Sequence, residues 1–148
     1  MVSVSRKIQA PGSAVWDVLA DFPNIADWNS GIKRSYATGD QTGGIGATRH
    51  CDLAPAGTLE ETVREWEPRE KMVISIDSTT KLPIKRGLAT FDLAAGDTAG
   101  QTNVDMNYEY ETKWGLLGKL MGGMLDRRLA KGFAGFLADL DTAASSSD

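Results

Sequence analysis

The chain has 148 residues, 41% hydrophobic and 24% charged, a balance that excludes a disordered chain and suits one globular domain. A single cysteine, Cys51, excludes an internal disulfide, and with a single histidine, His50, it cannot furnish the Cys/His set of a structural zinc site. A net charge of −4 with no Lys/Arg run longer than two argues against nucleic-acid binding, which requires a concentrated basic footprint.

Residues 2–9 alternate as a strand, with Val2, Val4 and Ile8 on one face. Pro11-Gly12-Ser13 makes a turn, and Ser13 is expected to cap a short helix that carries Val15, Val18, Leu19 and Phe22 on one side. Pro23 ends it, Asn24 is placed to cap a second short segment, and Gly31 closes that piece. Six strands are then predicted, over 32–38, 45–53, 58–66, 71–78, 85–93 and 101–113. They are separated by turns at Gly39-Asp40 with Gly43-Gly44, Pro55-Ala56-Gly57, Pro68-Arg69-Glu70, Leu82-Pro83 and Gly96-Asp97. Such short connections favour antiparallel neighbours. In the last strand Thr102, Val104, Met106, Tyr108, Tyr110 and Thr112 share a covered face, and the intervening residues Asn103 to Lys113 share a wet one.

Beyond Gly115 the period becomes helical. Leu116, Leu117, Leu120, Met121, Met124 and Leu125, then Leu129, Phe133, Phe136, Leu137 and Leu140, recur at three- and four-residue steps. They predict one helix of about 25 residues, ~38 Å long. Gly122-Gly123 offer a kink, and Gly132 with Gly135 a close approach to the sheet. The expectation is one domain over 1–143 and a frayed tail over 144–148. The fold class is α+β: a strongly curved antiparallel sheet wrapped round the terminal helix. One helix is too narrow to fill the sheet's concave face, so side chains must fill the remainder or a cavity is left.

The longest apolar runs fall far short of the ~18 residues of a membrane helix, and the first residues lack the apolar core of a signal peptide. Stable membrane insertion is therefore not expected, and the cytoplasm is the expected compartment. No carboxylate run has calcium-loop spacing, so no metal is expected. No catalytic triad, phosphate-binding glycine loop or dinucleotide motif is present, and no cofactor is expected.

Particular motifs are Ala10-Pro11, Val15-Trp16, Asp21-Phe22 through Trp28-Asn29, Gly46-Ala47 with Arg49 and Leu53, and Glu65-Trp66-Glu67-Pro68. In these the chain, from residue 2 to about 140, resembles the polyketide cyclase/dehydrase and lipid-transport family of the START-like, birch-pollen-allergen-like (SRPBCC) superfamily. The resemblance implies a helix-grip cup: a seven-stranded antiparallel sheet gripping the long C-terminal helix, two short helices after the first strand, and a pocket between. It implies, too, a range of roles, from aromatase/cyclases to carriers of lipids, quinones and plant hormones. A shared fold carries the pocket and not the reaction.

Arg49 is the most informative residue. It shares a face with Ala47, Cys51 and Leu53, and a buried guanidinium needs a carboxylate, carbonyls or a ligand anion. If the strand folds back at Pro55-Ala56-Gly57, Cys51 lies opposite Glu61 and Arg49 opposite Val63, which puts Arg49 diagonal to Glu61 and Glu65. The pair is then either a structural ion pair or, with Arg49 turned to a ligand, part of a site. Trp28, Trp66, Met106, Tyr108 and Tyr110 are candidates to line a pocket for an apolar, ring-bearing ligand, and core packing is the competing reading. Met121 and Met124 could face the same cavity from the helix. Met72, Ile74 and Ile76 read as core. His50 falls on the outward face with Thr48 and Asp52, which argues against a catalytic base, and Cys51 faces inward with no histidine to activate it. Lys81, Lys85 and Arg86 read as a solvated loop, with contact to a partner or anionic ligand as the competing reading, and the net negative charge offers no evident docking patch for an acidic carrier protein.

The leading reading is a protein that binds a hydrophobic or aromatic small molecule, such as a lipid, quinone or polyketide-like compound, in an internal pocket. An alternative is a cyclase/dehydratase-type enzyme in which Arg49 or Tyr108 polarises a ketone and Glu61 relays a proton. Another is a structural or assembly protein with a filled core. Nothing in the sequence names a protein partner.

Overall fold

Alternating apolar and polar residues from Val2 to Thr112 build one sheet, and the computed structural model shows how it closes; residues 1–115 and 120–146 are described. The elements are β1 (Val2–Ile8), α1 (Gly12–Ala20), a 3₁₀ helix (Phe22–Asp27), β2 (Ile32–Ala37), β3 (Thr48–Leu53), β4 (Thr58–Glu67), β5 (Lys71–Thr80), β6 (Ile84–Ala95), β7 (Thr102–Thr112) and α2 (Gly122–Ser145). All strand pairs are antiparallel, in the order β1-β7-β6-β5-β4-β3-β2. This is the helix-grip α+β fold, a seven-stranded curved sheet with short helices after the first strand and a long helix at the end.

The faces of β7 follow its alternation: Thr102, Val104, Met106 and Tyr108 are buried, and Asp105 and Glu109 are exposed. Ile8, Val15, Phe22, Val63, Met72, Val104, Leu137 and Leu140 are fully buried in one core between the sheet, α1 and α2. Burying each such side chain contributes roughly 1.5–3 kcal/mol. The last helix is tied back to the first strand by polar contacts. Arg6 Nε donates to Asp141 Oδ2 at 2.9 Å, the Gln9 N–H to Asp141 Oδ1 at 3.1 Å, and the Ser145 hydroxyl to the Gln9 carbonyl at 3.2 Å.

Several local expectations are corrected. Ser13 does not cap α1; the helix begins at Gly12, and Pro11 stands at the cap position, its carbonyl accepting from the Ala14 and Val15 N–H groups. The strand predicted from residue 45 begins at Thr48, because Gly44 and Gly46 adopt φ of +78° and +95° and the Gln41 amide binds the Gly43 and Ile45 carbonyls. Gly132 and Gly135 permit no close approach, since no described atom lies within 4 Å of where a Cβ would stand on either, nor on Gly122 or Gly123. Phe133 and Phe136 span the gap to the sheet instead. A break does fall beside Gly122-Gly123: Leu120 is helical, Met121 forms a turn, and α2 begins at Gly122. The proposed helical start at Leu116 and Leu117 lies outside the described residues, as do tail residues 147–148. α2 runs through Ser145, with Ala144 buried.

Candidate functional site

Arg49 is only 5% exposed, and the structure brings it face to face with Glu61, itself 6% exposed. The register differs from expectation: Arg49 pairs directly with Glu61, and Cys51 with Leu59. The reason is the turn. Leu53 N–H binds the Gly57 carbonyl at 2.8 Å, and Gly57 has a φ of +105°, so the hairpin closes on Ala54-Pro55-Ala56 and every pair shifts by two residues. Glu65 does not share Arg49's face. A bulge between Val63 and Glu65 re-aims the strand, leaving Glu65 exposed beside Lys71 and turning Trp66 inward.

The guanidinium is held by Glu61 and by the Phe22 backbone and ring. Its Nε donates to Glu61 Oε1 at 2.8 Å, its Nη1 donates to the Phe22 carbonyl at 2.9 Å, and it lies 4.0 Å from the centre of the Phe22 ring. The Cys51 thiol donates to the same Glu61 oxygen at 3.4 Å. Burial first, then the charge of Glu61, pushes the Cys51 pKa far up, so the thiol stays protonated and serves as a donor. Arg49 and Glu61 thus form a neutral buried pair, well suited to holding β3, β4 and the 3₁₀ helix together.

Aromatic side chains fill much of the space between sheet and helix. Tyr108 is buried, stacked on Tyr110 at 5.8 Å and tilted against Phe133 at 4.9 Å; Phe136 contacts Phe91 at 5.5 Å and Trp28 at 5.1 Å. Burial, then the charges of Glu61 and Tyr110, push the Tyr108 pKa up, so its phenol is a donor and not a base. Met106 lies in the core. Trp66 packs edge-on against Trp16 at 5.2 Å at the α1 end. Trp28, whose buried Nε1 has no hydrogen-bond partner among the described residues, borders an open groove beside Asp17, Asp21 and Ala143.

An apolar cavity of about 230 Å³ lies at the other end of the cup, lined by Pro83, Thr112, Trp114, Met121, Met124, Leu125 and Arg128. Beside it Tyr110 donates its phenol hydrogen to Asp126 Oδ1 at 2.5 Å, and burial followed by Asp126 pushes the Tyr110 pKa up to about 12. The predicted site residues therefore fall into separate places. Arg49 and Glu61 form an interior pair, Tyr108 and Met106 pack in the core, Trp28 and Trp66 lie towards α1, and Met121 and Met124 line the mouth, with Tyr110 just inside. Sequence reasoning missed Phe22, whose carbonyl gives no sequence signal, and Asp126, whose signal was an acid beside the apolar stripe of a helix. It also passed over Trp114, an exposed aromatic at the end of β7.

His50 lies on the outer face between Glu60 and Asp52, with Tyr36 stacked on it at 5.0 Å. Its hydrogen bonds with Glu60, then Asp52, raise its pKa. Among the described residues no group of three or more His, Cys, Asp or Glu is arranged to hold a metal ion, and no helix is long and apolar enough to cross a membrane.

A family model described as polyketide cyclase / dehydrase and lipid transport matches residues 1–145. The Zhui aromatase/cyclase from Streptomyces sp. R1128 superposes with a TM-score of 0.81 at 15% identity, covering 97% of this chain and 92% of that one. TTHA0849 from Thermus thermophilus gives 0.79 at 14% identity, with 99% of each chain covered. The di-domain aromatase/cyclase StfQ of the steffimycin pathway gives 0.72 at 12% identity, over 97% of this chain and 44% of that one. At these identities the likeness is one of fold. No curated protein sequence matches the chain.

Proposed function

The chain belongs to the polyketide cyclase/dehydrase and lipid transport family, and from that premise we propose that it binds a small apolar, ring-bearing molecule at the mouth of the cup without transforming it. The observation that carries this reading is the apolar cavity between the β5–β6 turn, the end of β7 and the start of α2. At about 230 Å³ it is smaller than the ~300 Å³ at which drug-sized pockets begin, which favours a compact ligand of one or two rings over a long chain. Met121 and Met124 supply adaptable walls, Trp114 a flat one, and Arg128 a charged group for a polar substituent.

A binding role is favoured over the cyclase reading by the state of the interior groups. In the cyclase reading Arg49 or Tyr108 would polarise a ketone and Glu61 relay a proton, but Arg49 and Glu61 are bound to each other and none of the three lines the cavity. The test is a titration with naphthalene- and naphthoquinone-type compounds, followed through ¹³C-labelled methionine methyls. Saturable shifts are expected at Met121 and Met124, with fully buried Met72 unmoved. Absence of shifts at both mouth methionines across the series would overturn the reading.

A further inference from the structure

Among the described residues, three exposed large apolar side chains line the cavity, Met124, 59% exposed, Trp114, 53%, and Met121, 44%, and Leu120, 83% exposed, directly precedes Met121 in the chain. The others, Met1, Tyr36, Ile45 and Leu88, lie elsewhere in the fold. Single exposed apolar side chains need no explanation, but a cluster of this kind marks a contact surface.

The charge around that rim runs against the charge of the chain. Residues 81–86, 111–114 and 120–128 carry six cations, Lys81, Lys85, Arg86, Lys113, Arg127 and Arg128, against two carboxylates, Glu111 and Asp126, on a chain of net charge −4. Among the described residues only Arg86 of the six pairs with a carboxylate, Glu111 at 3.2 Å, and Asp126 accepts from Tyr110. The backbone gathers these segments at one end: the Lys113 N–H donates to the Pro83 carbonyl at 2.9 Å, Lys113 Nζ to the Thr79 carbonyl at 3.1 Å, and Arg128 lines the cavity with Pro83 and Trp114. Lys81, Lys85 and Arg86, which the sequence presents as an isolated solvated loop, therefore belong to a larger basic rim.

We propose that this rim docks peripherally on an anionic lipid surface, with Trp114, Leu120, Met121 and Met124 reaching into the headgroup layer and the six cations facing the lipid phosphates and carboxylates. Neither signal suffices alone, because shallow apolar insertion and electrostatic attraction each give weak binding and together give stable association. Tryptophan favours this interface, where its ring is buried and its N–H stays wet. A lipid surface also accepts uneven apolar protrusions without a complementary shape, as a protein partner would not. The inference extends the ligand-binding reading and rests on it for its purpose, since the cavity would then open onto the phase in which an apolar ligand is dissolved.

Vesicle co-sedimentation without added ligand tests it, using phosphatidylcholine vesicles with and without phosphatidylserine. Binding is expected only with phosphatidylserine and is expected to fall on raising salt. Each of Lys81→Gln and Lys85→Gln should weaken it about fivefold, the effect of one cation near an anionic surface. Leu120→Asp should weaken it more than tenfold, whereas Ile45→Asp, at an exposed apolar residue away from the rim, should leave it unchanged. No sedimentation with phosphatidylserine vesicles, or sedimentation indifferent to Leu120→Asp, would overturn the proposal. So would Leu120-dependent self-association, or capture of an acidic carrier protein, in the absence of lipid binding. The methionine titration reads the cavity without vesicles and sedimentation reads the rim without ligand, so either reading can fail alone.

Discussion

Gly87 makes room for the phenol of Tyr108: a methyl group at position 87 would stand 2.5 Å from the phenol oxygen and 2.7 Å from the carbon that bears it. Gly87→Ala is therefore expected to destabilise the fold by about 1–3 kcal/mol, the usual cost of overpacking a core. Tyr108→Phe removes the nearer atom and should recover part of that loss. A double-mutant cycle by urea denaturation checks this, and additive effects would show that the two residues do not meet.

Arg49 and Glu61 are expected to behave as a structural couple. Arg49→Ala leaves the buried Glu61 carboxylate without its cation and takes a donor from the Phe22 carbonyl, at a cost of about 3–5 kcal/mol. Arg49→Met combined with Glu61→Leu should cost far less than either single change. If the double variant is as unstable as the sum of the singles, the pair is not a neutral unit, and equilibrium unfolding decides it.

The bond from Tyr110 to Asp126 gives stability a dependence on alkaline pH. Tyr110 is raised from 10.0 in the unfolded chain to about 12 in the fold, so the folded state holds its proton more tightly. Its contribution is complete below about pH 10 and is lost as pH rises towards about 12. The stability advantage of the wild type over Tyr110→Phe should shrink across that window, and the tyrosinate absorbance difference between the two proteins should show a step near its upper end. A constant advantage across the window would contradict the assignment.

His50 gives the opposite end of the scale. Raised above 6.5 by Glu60 and Asp52, with Arg34 also paired to Asp52, it favours the fold fully below its unfolded pKa and loses that effect as pH rises through its folded one. His50→Gln is expected to destabilise the protein more at about pH 6 than at about pH 9. The imidazole proton shifts in NMR should titrate above 6.5, and a midpoint at or below that value would refute the prediction.

The architecture was legible because alternation fixes faces: the buried and exposed sides of β7 follow from its residues alone. Register was not legible at β3–β4, since it depends on Gly57 adopting a positive φ, and neither was the outward turn of Glu65, which depends on a bulge after Val63 in the β4–β5 pairing; neither feature leaves a period in the sequence. Arg49 could be placed inside and given Glu61 as partner, because a buried cation demands an acid. The Phe22 carbonyl could not be foreseen, since a backbone acceptor looks alike at every position. Pocket residues were the least legible. Trp66 and Met124 both read as apolar wall, yet one is packed at the α1 end and the other stands at the mouth, a distinction set by how α2 settles on the sheet.

The pairing of β1 with β7 also governs how the protein comes into being. Val2 meets Tyr108 and Ile8 meets Thr102, so β1 has no sheet partner until some hundred residues more have been made. At roughly 5–20 residues per second that is a wait of about 5–20 s, during which β1 and the apolar face of α1 must stay unclaimed. Contacts so distant along the chain make for slow closure. The sheet therefore gains its β1 edge only once β7 has been made.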